Sequence, residues 1–462
     1  MDSNKKITQK IFFLGKLLLL AVIAALVYRG RMGSDDLEAF NAAFFYFNNS
    51  YFEGLENIYA SKNRSAWVGL NLLIINILNF IIGSTDLEEV SKYLCGYVLS
   101  LSTIFAFYLI YKNAKIELKN IDSKITFLAI TFCTPILTLA TGDGIESIIL
   151  LLMTILIIQK RTFNPIIAYI VFAIKFYQAP VLICIGIIRK KYYSLIILCM
   201  LIGFTILNKY YMNSTKDEFP YTFGFERYSI NLYNIMFSWG SGFLTVWWLY
   251  LVLIIIGWKR ETLLKILSII LILIFLAIFP FWHGQGPGTR YIIPLMIIFI
   301  PEIIYSVKKI NYLKYIIVLY AMLSVPTLDF RNTSIHEYQH DVSLFGRAYG
   351  FNEENKNFYD YNNLKFHPVI FSASIFSYKL FNANCNVLHV KTDCINIYPR
   401  MLISRIQYSL MRNLKYTEFI NQKYKIYFMI LPIVFYILIY FFLLQIIISL
   451  NIKRPNNNQE NF

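Results

Sequence analysis

Twelve apolar runs follow one another along this chain. They fall at roughly 11–28, 90–111, 125–141, 147–159, 163–174, 179–188, 192–211, 243–258, 264–281, 291–306, 312–327 and 425–450. Many approach the ~20 residues that a helix needs to cross a bilayer. Those between 147 and 190 are shorter. A soluble fold would have to hide all of them in one core, whereas a bilayer takes them as separate helices, each with its backbone hydrogen bonds closed internally. The pattern predicts an all-α polytopic membrane protein of about twelve transmembrane helices. The N-terminal run, behind a basic start, reads as an uncleaved first span, because no small-residue cleavage site precedes the charges after it.

Residues 66–83 are long enough to span, but a crossing there would break the alternation of basic loops. They read instead as an amphipathic helix in the outer interface. Asn71, Asn76 and Asn79 share one broad arc of that helix. A similar short helix starts at Ser34-Asp35-Asp36-Leu37-Glu38, where Ser34 suits the cap and the acids suit the helix dipole.

The charge pattern orients the chain. With the N-terminus inside, the inside segments hold twenty Lys and Arg against five acids. That surplus accounts for nearly all of the net charge of +16. The basic balance is therefore topological, and nucleic acid is not an expected partner. Both termini fall on the cytoplasmic side of a cell (inner) membrane. Three polar regions face out: 29–89, 212–242 and 328–424. The domain reading is a transmembrane catalytic module over 1–327, an extracytoplasmic domain over 328–424, and a last transmembrane helix with a cytoplasmic tail over 425–462.

Composition agrees with the pattern. Of 462 residues 57% are hydrophobic and only 15% charged, against about a quarter charged in soluble domains. Cys95, Cys133, Cys184 and Cys199 lie in apolar runs and read as packed thiols. Cys385 and Cys394 lie in the late outside region, where a short disulfide fits an oxidising compartment; two unpaired buried thiols are the alternative.

Four polar motifs lie at the outer ends of the spans. GSDDLEAF (33–40) puts Asp35 and Asp36 just outside the first span. Partial burial or a neighbouring acid raises a carboxylate's pKa and makes it a better proton acceptor. ATGDGIES (140–147) carries Asp143 and Glu146 in a glycine-containing turn between apolar runs, where acids are costly unless they bind something. AIKFYQAP (173–180) interrupts apolar sequence with Lys175, Tyr177 and Gln178. A lysine there, against the positive-inside bias, is a candidate for a lipid phosphate. FWHGQGPGTRYIIP (281–294) holds His283 and Arg290 among glycines. Arginine bonds phosphate oxygens in pairs, and glycine lets backbone N–H groups approach a ligand. Each has a plain alternative: solvated acids, a polar turn, a snorkelling lysine or a flexible loop. Glu302, inside the tenth run, is expected only to pair across helices.

Signatures for a P-loop, a dinucleotide fold or a serine hydrolase are missing. HEYQH (336–340) matches the bare zincin pattern, but no apolar helical face surrounds it, so it reads as a polar loop. No resident cofactor is expected. The acidic turns carry oxygen ligands of the kind a divalent metal takes, and metal dependence stays open.

In order and pattern these motifs resemble the GT-C superfamily of multi-spanning glycosyltransferases, which includes lipid A aminoarabinose transferases and polyprenol-dependent mannosyltransferases. The resemblance runs over roughly residues 1–310. GSDDLEAF matches the first acidic motif and ATGDGIES looks like the second. RTFNPIIAYIVFAIKFYQAPVLI resembles the lysine-containing span region, and GTRYIIPLMIIFIPE the R-Y-x-x-P segment. The chain departs from many members in carrying Ser65-Ala66-Trp67-Val68 where they carry His-Pro-Pro-Leu, which leaves the sugar and the acceptor unassigned.

The resemblance implies transfer of a sugar from a polyprenyl-phosphate donor to a glycan, lipid or protein acceptor at the extracytoplasmic face. It implies Asp35 as base, with Asp36 or Asp143 positioning the acceptor or replacing it. Lys175 and Arg290, with Tyr177 and His283, would hold the donor phosphate. Two alternatives predict other features. A polysaccharide polymerase or ligase would depend mainly on arginines and take long lipid-linked glycans. A transporter would show paired repeats and helices broken near mid-membrane, and no repeat is visible in the sequence.

Overall fold

The computed structural model describes residues 14–24, 34–48, 65–83, 87–118, 120–141, 144–159, 162–212, 228–237, 242–278, 290–324 and 437–451. At some helical positions, Asp35, Asp36 and Arg290 among them, the backbone alone is described. The late outside region with Cys385, Cys394 and HEYQH lies outside these residues.

The described residues are all-α, with no strand. In chain order the helices are α1 (Leu14–Ala24), α2 (Ser34–Asn48), α3 (Ser65–Ile82), α4 (Leu87–Glu117), α5 (Asn120–Thr131), α6 (Glu146–Ile158), α7 (Pro165–Ile174), α8 (Ala179–Ile188) and α9 (Tyr192–Met212). Then come α10 (Tyr228–Phe237), α11 (Phe243–Val246), α12 (Trp248–Ile256), α13 (Thr262–Leu276), α14 (Ile300–Lys309), α15 (Asn311–Ser324) and α16 (Ile437–Asn451). Helical structure occurs within each of the twelve expected runs. Among the described residues, only two stretches, Leu87–Glu117 and Tyr291–Lys309, are long and apolar enough to cross a membrane by length and composition.

Prolines explain much of the shortening. Proline lacks an N–H, and its ring clashes with the carbonyl four residues back. Accordingly α5 stops at Thr131 and a 3-10 segment begins at Pro135. Pro180 sits in the first turn of α8, and α7 ends at Ile174 with Lys175 extended (φ −147°, ψ 101°). Pro294 lies inside the 3-10 segment Arg290–Phe299, and Pro301 opens α14. Side chains take up carbonyls near these breaks. Ser100 donates to the carbonyl of Ala140, while Thr103 and Ser147 both donate to that of Leu139, each at 3.1 Å. Upstream, Asn164 caps α7, its Oδ1 accepting from the N–H groups of Ile166 (3.0 Å) and Ile167 (3.3 Å), with Pro165 at the first position.

The helix ends sort by direction. Arg189, after α8, donates to the carbonyls of Ile157 (3.1 Å), in the last turn of α6, and Thr162 (2.6 Å), just past it. Lys265 of α13 meets Glu302 of α14 in a two-pronged pair at 2.7 and 3.0 Å, and Thr262 donates to the same carboxylate at 2.9 Å. Glu302 thus pairs across helices, as its position in an apolar run suggested. Gly257 makes that packing possible: a Cβ there would lie 2.1 Å from the Glu302 carbonyl oxygen. Lys314 of α15 pairs with Asp122 of α5 at 2.8 Å. These groups come from segments expected on the inside.

Polarity is inverted on α13. Thr262, Lys265 and Ser268 are buried, while Leu263, Leu267, Leu271 and Ile274 are exposed at helical spacing. Ile437, Phe441, Leu444 and Ile448 form a similar exposed stripe on α16. The expected polar face of α3 is not observed. Asn71 is buried with Trp67, Val68 and Ile75, whereas Asn76 and Asn79 are exposed beside Leu73, Ile77, Phe80 and Ile81. The arc estimated from spacing held apolar positions as well, and packing against α2 selected the side carrying Trp67 and Ile75. Cys95, Cys133 and Cys184 are buried, but Cys199 is exposed on α9, because an apolar run need not face other protein.

Candidate functional site

Three distant segments meet at the end of the bundle opposite Arg189 and the Lys265–Glu302 pair. The first is the start of α6, where Glu146 is fully buried. The second is the break between α7 and α8, which holds Lys175, Tyr177 and Gln178. The third is the start of the 3-10 segment at Arg290, whose next residue is Tyr291. Lys175 leaves helical geometry just after α7 and Pro180 opens α8, so the polar residues between them fall at a helix break.

Lys175 is the hub. Its Nζ lies 3.6 Å from Oε1 of Glu146, with 12% of the lysine side chain exposed. The same ammonium stands 5.2 Å from the centroid of the Tyr291 ring, within cation–π range. Tyr291 meets Tyr177 edge-on at 5.7 Å, and Phe176 meets Phe275 of α13 edge-on at 5.7 Å. A single 3-10 turn returns the chain to Gln178, whose N–H donates to the Lys175 carbonyl at 3.3 Å. Gln178 is fully buried, and neither atom of its amide has a partner among the described residues.

The two Lys–Glu pairs differ in geometry. Lys265–Glu302 is a tight, two-pronged clamp reinforced by a threonine. Lys175–Glu146, at 3.6 Å, is an ion contact beyond direct hydrogen-bond length.

Of the residues expected to form a site, Lys175 and Tyr177 are brought together. Arg290 is adjacent in sequence to Tyr291, and its side chain is outside the description. Asp35 and Asp36 lie in the first turn of α2, again as backbone; α2 packs along α3, and α3 packs against α7. Asp143 and His283 lie outside the described residues. The sequence grouped Glu146 with Asp143 as a pair of turn acids, whereas the fold pairs Glu146 with Lys175. Tyr291 was quoted only as part of a motif, and its ring contact with Lys175 spans more than a hundred residues of chain. The Lys-to-Pro interval at 175–180 was the one local signal of a broken, polar turn. Among the described residues no group of three His, Cys, Asp or Glu stands close enough to hold a metal ion.

Neither a protein-family model, nor a curated protein, nor a solved structure matches the chain.

Proposed function

We propose that this chain is a polytopic glycosyltransferase of about twelve spans with both termini cytoplasmic, moving a sugar from a polyprenyl-phosphate donor to an acceptor at the extracytoplasmic membrane face. The observation that carries the reading is the meeting of the 146, 175–178 and 290–291 segments in one cluster. Each was singled out separately as a place for phosphate or acid chemistry, and they come from distant parts of the chain. The membrane setting is supported by the inverted polarity of α13 and by apolar stripes on its outer surface.

A lipid-anchored sugar phosphate cannot leave the bilayer, so its reactive C1 is confined to the headgroup level. In the proposed reaction the acceptor hydroxyl loses its proton to Asp35 and its oxygen attacks C1 from the face opposite the phosphate. The C1–O bond to phosphate breaks, its electron pair leaves on the phosphate oxygen, and C1 is inverted. Lys175, with Arg290, faces the charge that grows on the leaving phosphate; placing cations there is usually the largest catalytic term. Asp36 or Asp143 positions the acceptor.

The test is consumption of radiolabelled polyprenyl-phosphate sugars by membranes carrying the wild type or Asp35→Asn. The reading expects turnover by the wild type and a drop of roughly two to four powers of ten in the variant at equal protein level. Near-normal turnover in Asp35→Asn would remove Asp35 as the base, and no consumption of any common donor by the wild type would sink the transferase reading.

One observation favours a second reading. Pro135 and Pro294 lie in 3-10 segments, and Pro180 and Pro301 open helices close to Lys175 and Glu302, a broken-helix pattern also found in transporters. That reading expects substrate flux across proteoliposomes without chemical change.

A further inference from the structure

The reaction above uses the end of the bundle that carries Lys175. At the opposite end, residues 112–124 and 308–314 hold seven lysines against two acids, Glu117 and Asp122. These segments form two short links between helices. α4 ends at Glu117 and α5 begins at Asn120, while α14 ends at Lys309 and α15 begins at Asn311. Both α14 and α15 pack on α5, and Lys314 pairs with Asp122 at 2.8 Å, so the two links stand side by side. That pair takes up one of the two acids. Lys112, Lys115, Lys308 and Lys309 are exposed and make no ion pair among the described residues. The last helix reaches the same end: Lys124 lies 5.3 Å from the centroid of the Phe442 ring, and Tyr315 donates to Oδ1 of Asn451 at 3.1 Å. At the far ends of the same two helices Tyr440 donates to the Met322 carbonyl at 3.3 Å, so α15 and α16 lie antiparallel. Each carries an exposed apolar stripe leading away from the lysines: Tyr312, Ile316 and Leu319 on α15, and Phe441, Leu444 and Ile448 on α16.

We propose that the α15–α16 face binds a phospholipid of net negative headgroup from the inner leaflet. The lysines of the two links meet its phosphate, and its acyl chains lie along the two apolar stripes. Charge selects the class. A zwitterionic headgroup brings its own cation to a surface already in excess of lysine, whereas an anionic headgroup brings only the charge that this surface lacks. Basic groups between membrane helices on the cytoplasmic side are a recurrent setting for anionic headgroups. Tyr312 stands where that headgroup meets the hydrocarbon, a level that suits an aromatic ring with a polar tip. The inference uses the placement of the chain in a membrane but not the transfer reaction, so a failure of the phosphate site at Lys175 leaves it standing.

The experiment titrates full-length protein in detergent with phosphatidylglycerol or with phosphatidylcholine of the same acyl chains, and counts bound lipid by native mass spectrometry. A basic residue near an anionic headgroup contributes about fivefold in affinity. The wild type should therefore bind its first phosphatidylglycerol at least ~10-fold more tightly than phosphatidylcholine. Replacing Lys308→Gln and Lys309→Gln together should weaken phosphatidylglycerol by roughly 25-fold and leave phosphatidylcholine as it was. Arginine at both positions should keep the preference. The control is Lys190→Gln with Lys191→Gln, an exposed pair after α8, which should leave the first phosphatidylglycerol unchanged. All of these positions are on the surface, where substitution has little effect on folding. No preference in the wild type, or a preference undiminished in the Lys308 and Lys309 variant, overturns the proposal. Equal weakening in the control variant also overturns it, because the attraction would then be diffuse rather than held at this face. Glycerol phosphate at the concentration of the lipid should displace nothing; displacement would make the ligand a soluble phosphate and overturn the lipid assignment.

Discussion

Glu146→Gln is the most informative single substitution. It leaves the shape of the side chain and removes the charge that faces Lys175 at 3.6 Å. At an effective dielectric near 20, that separation corresponds to about 4–5 kcal/mol of Coulomb attraction. Most of this offsets the desolvation of the two charges, so the pair adds little net stability when intact. Breaking it from one side is different: removing one partner of a buried ion pair typically costs roughly 3–5 kcal/mol. The ligand-free variant should therefore unfold at lower temperature than the wild type. A bound phosphate then replaces the missing charge and no longer competes with Glu146 for the ammonium. Recovering about a third of the attraction amounts to ~1.4 kcal/mol, or tenfold. Thermal unfolding of full-length protein titrated with polyprenyl phosphate reads both effects. The expected pattern is lower stability and about tenfold tighter phosphate binding in Glu146→Gln, with weaker binding in Lys175→Met. Equal weakening in both variants, or no change in either, would refute a phosphate at Lys175.

Three further outcomes follow from the packing. Gly257→Ala would set a methyl group 2.1 Å from the Glu302 carbonyl; overpacking of this kind typically costs about 1–3 kcal/mol, seen as a lower unfolding temperature. Lys265→Met strands the fully buried Glu302 and should destabilise by roughly 3–5 kcal/mol, whereas Lys265→Met with Glu302→Leu should recover most of the loss; equal loss in the single and double variants would contradict the clamp. Asn164→Ala removes the cap of α7 and should lower stability by about 1 kcal/mol, with donor affinity unchanged.

The helices were legible because periodicity and run length are local properties. The runs at 147–159, 163–174 and 179–188 became α6, α7 and α8 within a few residues, and Pro180 marked the break between the last two. Neighbours were not legible. Nothing in the segment around Lys175 says that Glu146 will stand opposite it, since that contact depends on how α6 and α7 turn against each other. Tyr291 is a still more distant case, reached only by folding the 3-10 segment back against α6 and α13. Asn71 shows the limit of helical-wheel reasoning. Its spacing to Asn76 and Asn79 was read correctly, but which side of α3 met α2 was settled by Trp67 and Ile75, large groups whose burial outweighs the cost of enclosing one amide. The acids of α2 were visible as a motif from the start, and their role rests on the chemistry of the proposed reaction.

The most direct test of the central claim is photolabelling of the full-length protein with a polyprenyl phosphate that carries a photoreactive group beside the phosphate. The account predicts crosslinks in the 175–178 and 290–294 segments, suppressed by excess unlabelled donor and reduced in Lys175→Met. Crosslinks confined to other parts of the chain, or insensitive to unlabelled donor, would contradict it.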